Sequence, residues 1–120
     1  MRIKSDEYVL LQTRAFSAYR PIRRFATLYV KCVWDPTEHA VHDLTRMVGP
    51  RALSVLNRVE RDRRKRRGAC PRVGRMRVEA STTNEVLRVA VALGPDRELP
   101  IGAALRDGVW TIVEFGKCRP

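Results

Sequence analysis

The chain has 120 residues, with 24 Lys and Arg against 13 Asp and Glu, a formal charge of +11, and 44% apolar residues. That length suits one domain over residues 1–120, and the apolar share can build a core, which excludes a chain disordered throughout. Arginine supplies 20 of the 24 cations; its planar fork matches phosphate in two-point contacts, which brings nucleic acid, an acidic protein or an anionic surface into view.

Taken in chain order, Ile3, Tyr8, Val9, Leu10 and Leu11 are β-compatible and leave room for an extra N-terminal strand, interrupted by Asp6 and Glu7. Residues 14–25 mix arginines with aromatics around Pro21 and read as a loop. From Phe25 to Trp34, Leu28, Val30, Cys32 and Trp34 alternate with Thr27, Tyr29, Lys31 and Val33, which predicts a strand. Asp35, Pro36 and Glu38 then suit the N-cap, first and third positions of a helix. Its apolar stripe is Ala40, Val41, Leu44, Met47 and Val48, and Gly49 stops it.

Pro50 starts a second helix, with Ala52, Val55, Leu56 and Val59 on one face. Beyond Val59 the helix-compatible residues 60–67 are polar all round, which predicts an arginine-rich segment, 58–77, projecting from the domain. Residues 75–80, 86–93 and 109–115 read as strands, separated by a turn at 81–84 and a break at 94–96. In the last strand Val109, Thr111, Val113 and Phe115 share one face, opposite Trp110 and Ile112, and Asp107-Gly108 before it signals a tight hairpin. The expected fold class is α+β: two helices packed on one face of a mostly antiparallel sheet, in the order β-α-α-β-β-β.

The charge is local. Between Arg51 and Arg77 stand eleven basic and two acidic residues, so that segment holds +9 of the total +11. A concentrated patch is the footprint a polyanion requires. The candidate nucleic-acid-binding residues are Arg58, Arg61, Arg63, Arg64, Lys65, Arg66, Arg67, Arg72, Arg75 and Arg77. With no aromatic residue among them to stack on bases, the segment favours backbone and shape, as in structured or double-stranded RNA. The run Arg63–Arg67 would also serve as a nuclear localisation signal or as a grip on an acidic protein. Arg14, Arg20, Arg23 and Arg24 form a secondary set, interleaved with Phe16, Tyr19 and Phe25, whose rings either stack bases or pack into the core.

Cys32, Cys70 and Cys118 are odd in number and widely spaced, which implies no disulfide framework and a reducing compartment. Residues 1–7 carry no apolar leader, and the run 8–11 is too short to span a membrane. The expectation is an intracellular protein without a membrane partner: nuclear and cytoplasmic in a eukaryote or a virus, cytoplasmic in a bacterium. His39 and His42 fall on the wet face of their helix, away from Cys32, so neither a metal nor another cofactor is expected.

No glycine-rich phosphate loop, nucleophile elbow or histidine-bearing triad is visible, and the leading expectation is a non-enzymatic RNA-binding regulatory protein. One enzyme family offers an alternative. The expected element order, the basic surface and the spacing of the closing Val113-Glu114-Phe115-Gly116-Lys117-Cys118-Arg119 loosely resemble RelE-type toxins. That resemblance implies ribosome-dependent cleavage of messenger RNA, with Arg88, Lys117 and Arg119 as active groups. The sequence departs from the family in lacking its leucine–glycine and tyrosine–arginine pattern before the middle strand.

Overall fold

The structure, a computed structural model, describes the backbone of residues 2–81 and 86–119 and the side chains of residues 17–79 and 86–119. Three helices come first: α1 (Arg2–Trp34), α2 (Glu38–Val48) and α3 (Ala52–Lys65). Four strands follow: β1 (Val73–Ser81), β2 (Val86–Leu93), β3 (Arg97–Arg106) and β4 (Val109–Phe115). The strands make one antiparallel meander in the order β1-β2-β3-β4. The α+β class and the antiparallel sheet agree with the sequence reading. The order of elements does not.

The main correction lies in the first third of the chain. Residues 25–34 are helical, and α1 also covers the stretches read as an N-terminal strand and as a loop. The buried positions Ala18, Ile22, Phe25, Ala26, Tyr29 and Val33 recur every three or four residues, the period of a helix. The helix touches all four strands as well as α2 and α3. Between Ile22 and Val33 only Arg24, Thr27 and Lys31 are therefore exposed, and an apolar stripe that wide imitates a strand over ten residues. Pro21 sits inside the helix, where it has no N–H to give to the carbonyl one turn back.

Short connections place the later helices. Thr37, not Asp35, caps α2: its Oγ1 accepts from the Ala40 N–H at 3.1 Å. Gly49 ends α2 at a φ of +52°, a left-handed conformation that glycine takes without strain. A single 3-10 turn, Gly49–Arg51, leads into α3.

The sheet presents Leu87, Val89, Val91, Leu93, Leu99, Ile101, Ala103 and Ile112 to the helices. Each large side chain so buried contributes about 1.5–3 kcal/mol. Strand β3 went unread because Pro100 and Gly102 disguise it. Pro100 faces the point where β4 gives way to the tail, and its carbonyl accepts the Gly116 N–H at 3.0 Å. Opposite Gly102 and Ala103 of β3 the register slips, leaving Val113 of β4 as an extra residue. The slip moves Phe115 to the side of Trp110 and Ile112, against the expected alternation. There its ring meets Phe25 at 5.2 Å and Tyr29 at 4.8 Å. The expected hairpin is present, with Asp107 and Gly108 both at positive φ. Of the turn expected at 81–84, the residues after Ser81 lie outside the described residues. Among the described residues no helix is long and apolar enough to cross a membrane.

Candidate nucleic-acid interface

The arginine-rich segment divides by helical geometry. Val55 and Val59 are the buried positions of α3, so Arg58 and Asp62 lie on the inner side and Arg61, Arg64 and Lys65 on the outer. Arg58 forks onto the backbone of the tail: Nη1 donates to the Phe115 carbonyl at 3.2 Å and Nη2 to the Gly116 carbonyl at 2.5 Å. Its guanidinium carbon also stands 4.6 Å from the centre of the Phe115 ring. Burial is the largest influence on its pKa, which is lowered, and burial likewise raises that of Asp62. The two side chains approach to 3.8 Å. Arg58 is a structural residue.

Arg66 is a second one. Its Nη1 donates to the Val33 carbonyl at 2.8 Å, so the C-terminal ends of α1 and α3 meet at one place. Each helix end carries about half a negative charge, and nearby cations neutralise it. Lys31 in the last turn of α1, and Arg63, Arg64 and Lys65 in that of α3, fit this role. Two such ends offset about one unit of charge, against a net +8 for residues 58–77. A large surplus remains.

The other members of the segment separate in the same way. Arg77 lies against Glu98, with Nη2 donating to Oε1 at 2.9 Å and Oε2 at 3.0 Å. Arg63 and Arg64 share Glu60 at 3.6 and 3.9 Å, pairs that solvent screens to little energy. Arg61, Lys65, Arg67, Arg72 and Arg75 are exposed and make no hydrogen bond or ion pair among the described residues. These five with Arg64, whose side chain is 79% exposed, are the cations open to an outside partner. The open cations thus lie on the outer face of α3, in the coil after it and at the start of β1, in a segment held to the rest of the chain at Arg58, Arg66 and Arg77.

Of the secondary set, Arg20, Arg23 and Arg24 line one open hollow of about 370 Å³ together with Tyr19 and Asp43. Arg23 donates to the carbonyls of Gly74 at 3.0 Å and Val73 at 3.1 Å, tying α1 to β1. Phe25 belongs to the core. Arg24 stands 3.8 Å from Asp43, and Arg20 is exposed. The side chains of Arg14 and Phe16 lie outside the described residues.

Of the groups suggested by the toxin resemblance, Arg88 and Arg119 line one shallow cup of about 300 Å³ on the open face of the sheet, and Lys117 does not. Arg88 reaches across Gly102 to Glu114, with both hydrogen bonds at 2.7 Å. A Cβ on residue 102 would stand 2.8 Å from that of Glu114, so the pair needs glycine beneath it. Arg119 pairs with Glu79 and lies 3.9 Å from Glu98. Burial raises the Cys118 thiol pKa, which leaves it a weaker nucleophile at neutral pH. The first strand on which that resemblance drew is helical.

Sequence reasoning placed the charge but could not separate anchoring arginines from outward ones. Arg58 follows Val55 by three residues and precedes Val59 by one, and that spacing alone signals an inward position. Arg23 and Arg66 carry no such signal, because their partners are 51 and 33 residues away. No family model, curated protein or solved structure matches this chain.

Proposed function

We propose that the protein binds structured or double-stranded RNA through the outward cations of α3 and the coil that follows, without catalysing a reaction. The observation that carries this reading is the surplus left after internal uses are subtracted: Arg61, Arg64, Lys65, Arg67, Arg72 and Arg75, six exposed cations within fifteen residues. Guanidinium forks held at the end of a rigid helix suit phosphate oxygens. The surface lacks aromatic residues, which favours a partner read through its backbone. Three cysteines without a disulfide among the described residues accord with a reducing, intracellular setting.

The test is a gel-shift titration with duplex RNA, single-stranded RNA and duplex DNA. Replacing Arg61, Arg64, Lys65 and Arg67 together by Glu should weaken duplex RNA binding by about a hundredfold or more at moderate salt. Circular dichroism should still show a folded chain, since none of the four donates a hydrogen bond to another element among the described residues. Unaltered affinity in a folded variant rejects the reading.

A second reading, cleavage of messenger RNA, draws on Arg88 and Arg119 lining one cup with Glu79 and Glu114. Both guanidinium groups already face carboxylates, which favours the binding reading. Mixing the protein with translating ribosomes decides between them: transcripts cut by the protein but not by Arg119→Ala support cleavage, and intact transcripts dismiss it.

A further inference from the structure

Away from the arginine-rich segment, α1, the end of α2 and the start of β4 enclose a cup of about 590 Å³. Its half-buried lining includes Pro21, Met47 and Trp110, and the exposed Arg20, Arg24 and Arg46 border it. A volume of this order accommodates a bulky side chain or a small ligand. The indole is fixed in place, its Nε1 donating to the Ser17 Oγ at 3.0 Å.

The charge around the cup is unbalanced. Arg24 has Asp43 at 3.8 Å, while Arg20 and Arg46 make no hydrogen bond or ion pair among the described residues. Among the described residues that line the hollow, three are cations and none is a carboxylate; Asp43 stands beside Arg24, outside the lining. The sequence reading passed over Arg46, because α2 and β4 meet this part of α1 only in space.

The lining also discriminates between kinds of anion. A nucleobase needs donors and acceptors for its edges, and the guanidinium groups that border the cup offer donors alone. Among the described residues Thr111 and Trp110 are the uncharged side chains with a polar atom that line the cup, and Trp110 gives its single donor to Ser17. An aliphatic or aromatic side chain asks for neither, and carboxylates beside it would meet the guanidinium groups in charge-assisted hydrogen bonds. We propose that this cup is a docking site for an acidic segment of a partner protein, which inserts one apolar side chain against Pro21, Met47 and Trp110 and sets flanking carboxylates on Arg20, Arg24 and Arg46.

The probe is a fluorescein-labelled peptide of glutamates flanking one leucine, titrated with the full chain by fluorescence anisotropy. Saturable binding is expected, weakened about tenfold or more by the exposed pair Arg20→Glu and Arg46→Glu. A peptide with serine in place of the leucine should also lose about tenfold. Absence of saturable binding overturns the proposal, and so does equal affinity for the serine peptide, which would mean attraction to net charge alone. Reversal of Arg61, Arg64 and Lys65 should leave the leucine peptide bound; if that change abolishes binding instead, the peptide sits elsewhere and the site is wrong. Duplex RNA is the last arm. Should Arg20→Glu with Arg46→Glu abolish RNA binding while the peptide fails to compete with RNA, the cup belongs to nucleic acid and the peptide assignment falls.

Discussion

Two arginines of one helix, Arg58 and Arg61, show how far position outweighs residue type. Arg58 gives both ends of its fork to the carbonyls of Phe115 and Gly116, whereas Arg61 faces solvent three residues later. Arg58→Met would remove two charge-assisted hydrogen bonds while keeping much of the packing on Phe115, at an expected cost of about 2–4 kcal/mol. Urea denaturation should show that loss with RNA affinity nearly unchanged, and Arg61→Met should do the reverse. Equal effects on stability would mean that the inward and outward assignments are mistaken. Glu114 offers a pH-dependent counterpart. The hydrogen bonds from Arg88 are the largest influence on its carboxyl and hold the pKa below the ordinary glutamate range, against a smaller opposing effect of burial. A carboxylate whose folded-state pKa is depressed stabilises the fold above its unfolded pKa, and that contribution fades as pH falls through the folded value. Glu114→Gln should therefore lower the urea midpoint at neutral pH and converge with the parent protein in acid. A gap that stays constant across pH would assign the loss to packing.

At the scale of elements, α1 explains both what could be read from the sequence and what could not. Helices that are wet on one side announced themselves: α2 through Ala40, Leu44 and Val48, α3 through Val55 and Val59. Strands β2 and β4 were legible from alternation, and their hairpin from Asp107-Gly108. The central helix misled because strands and helices pack on most of its circumference between Ile22 and Val33, so its apolar residues there fill more than one stripe and β-branched and aromatic types dominate. Pro21 strengthened the error, since inside a helix it costs about 3 kcal/mol and normally marks a break. For the candidate site, the location of charge was legible but its internal use only at Arg58, because the bonds of Arg23 and Arg66 span 51 and 33 residues. If α1 is continuous through Pro21, then Pro21→Ala restores a backbone donor toward Ser17. Stability should rise by about 1–3 kcal/mol, less whatever packing the ring supplies. Thermal unfolding followed at 222 nm would register the gain, and a loss of stability would mean that the bend or ring at this position is itself required.

For the whole molecule the governing quantity is a charge of +11 on 120 residues. Self-repulsion of that charge opposes folding, and dissolved salt screens it over a distance of about 10 Å at 0.1 M. The free protein should therefore melt at a higher temperature as sodium chloride is added. On the proposed function, bound RNA would act in the opposite direction: at a hundred times its dissociation constant it would stabilise by about 2.7 kcal/mol, on the order of 10 °C for a chain of this length. That gain rests on released counterions, so it should shrink as salt rises, with a log–log binding slope of about −5 if all six outward cations meet phosphates on a duplex. The two melting curves should converge at high salt, the free one climbing and the bound one falling. Differential scanning fluorimetry at several salt concentrations, with and without duplex RNA, would test this directly. Curves that climb in parallel would mean that the ligand senses no ionic footprint, and that the outward arginines repel one another without gripping a partner.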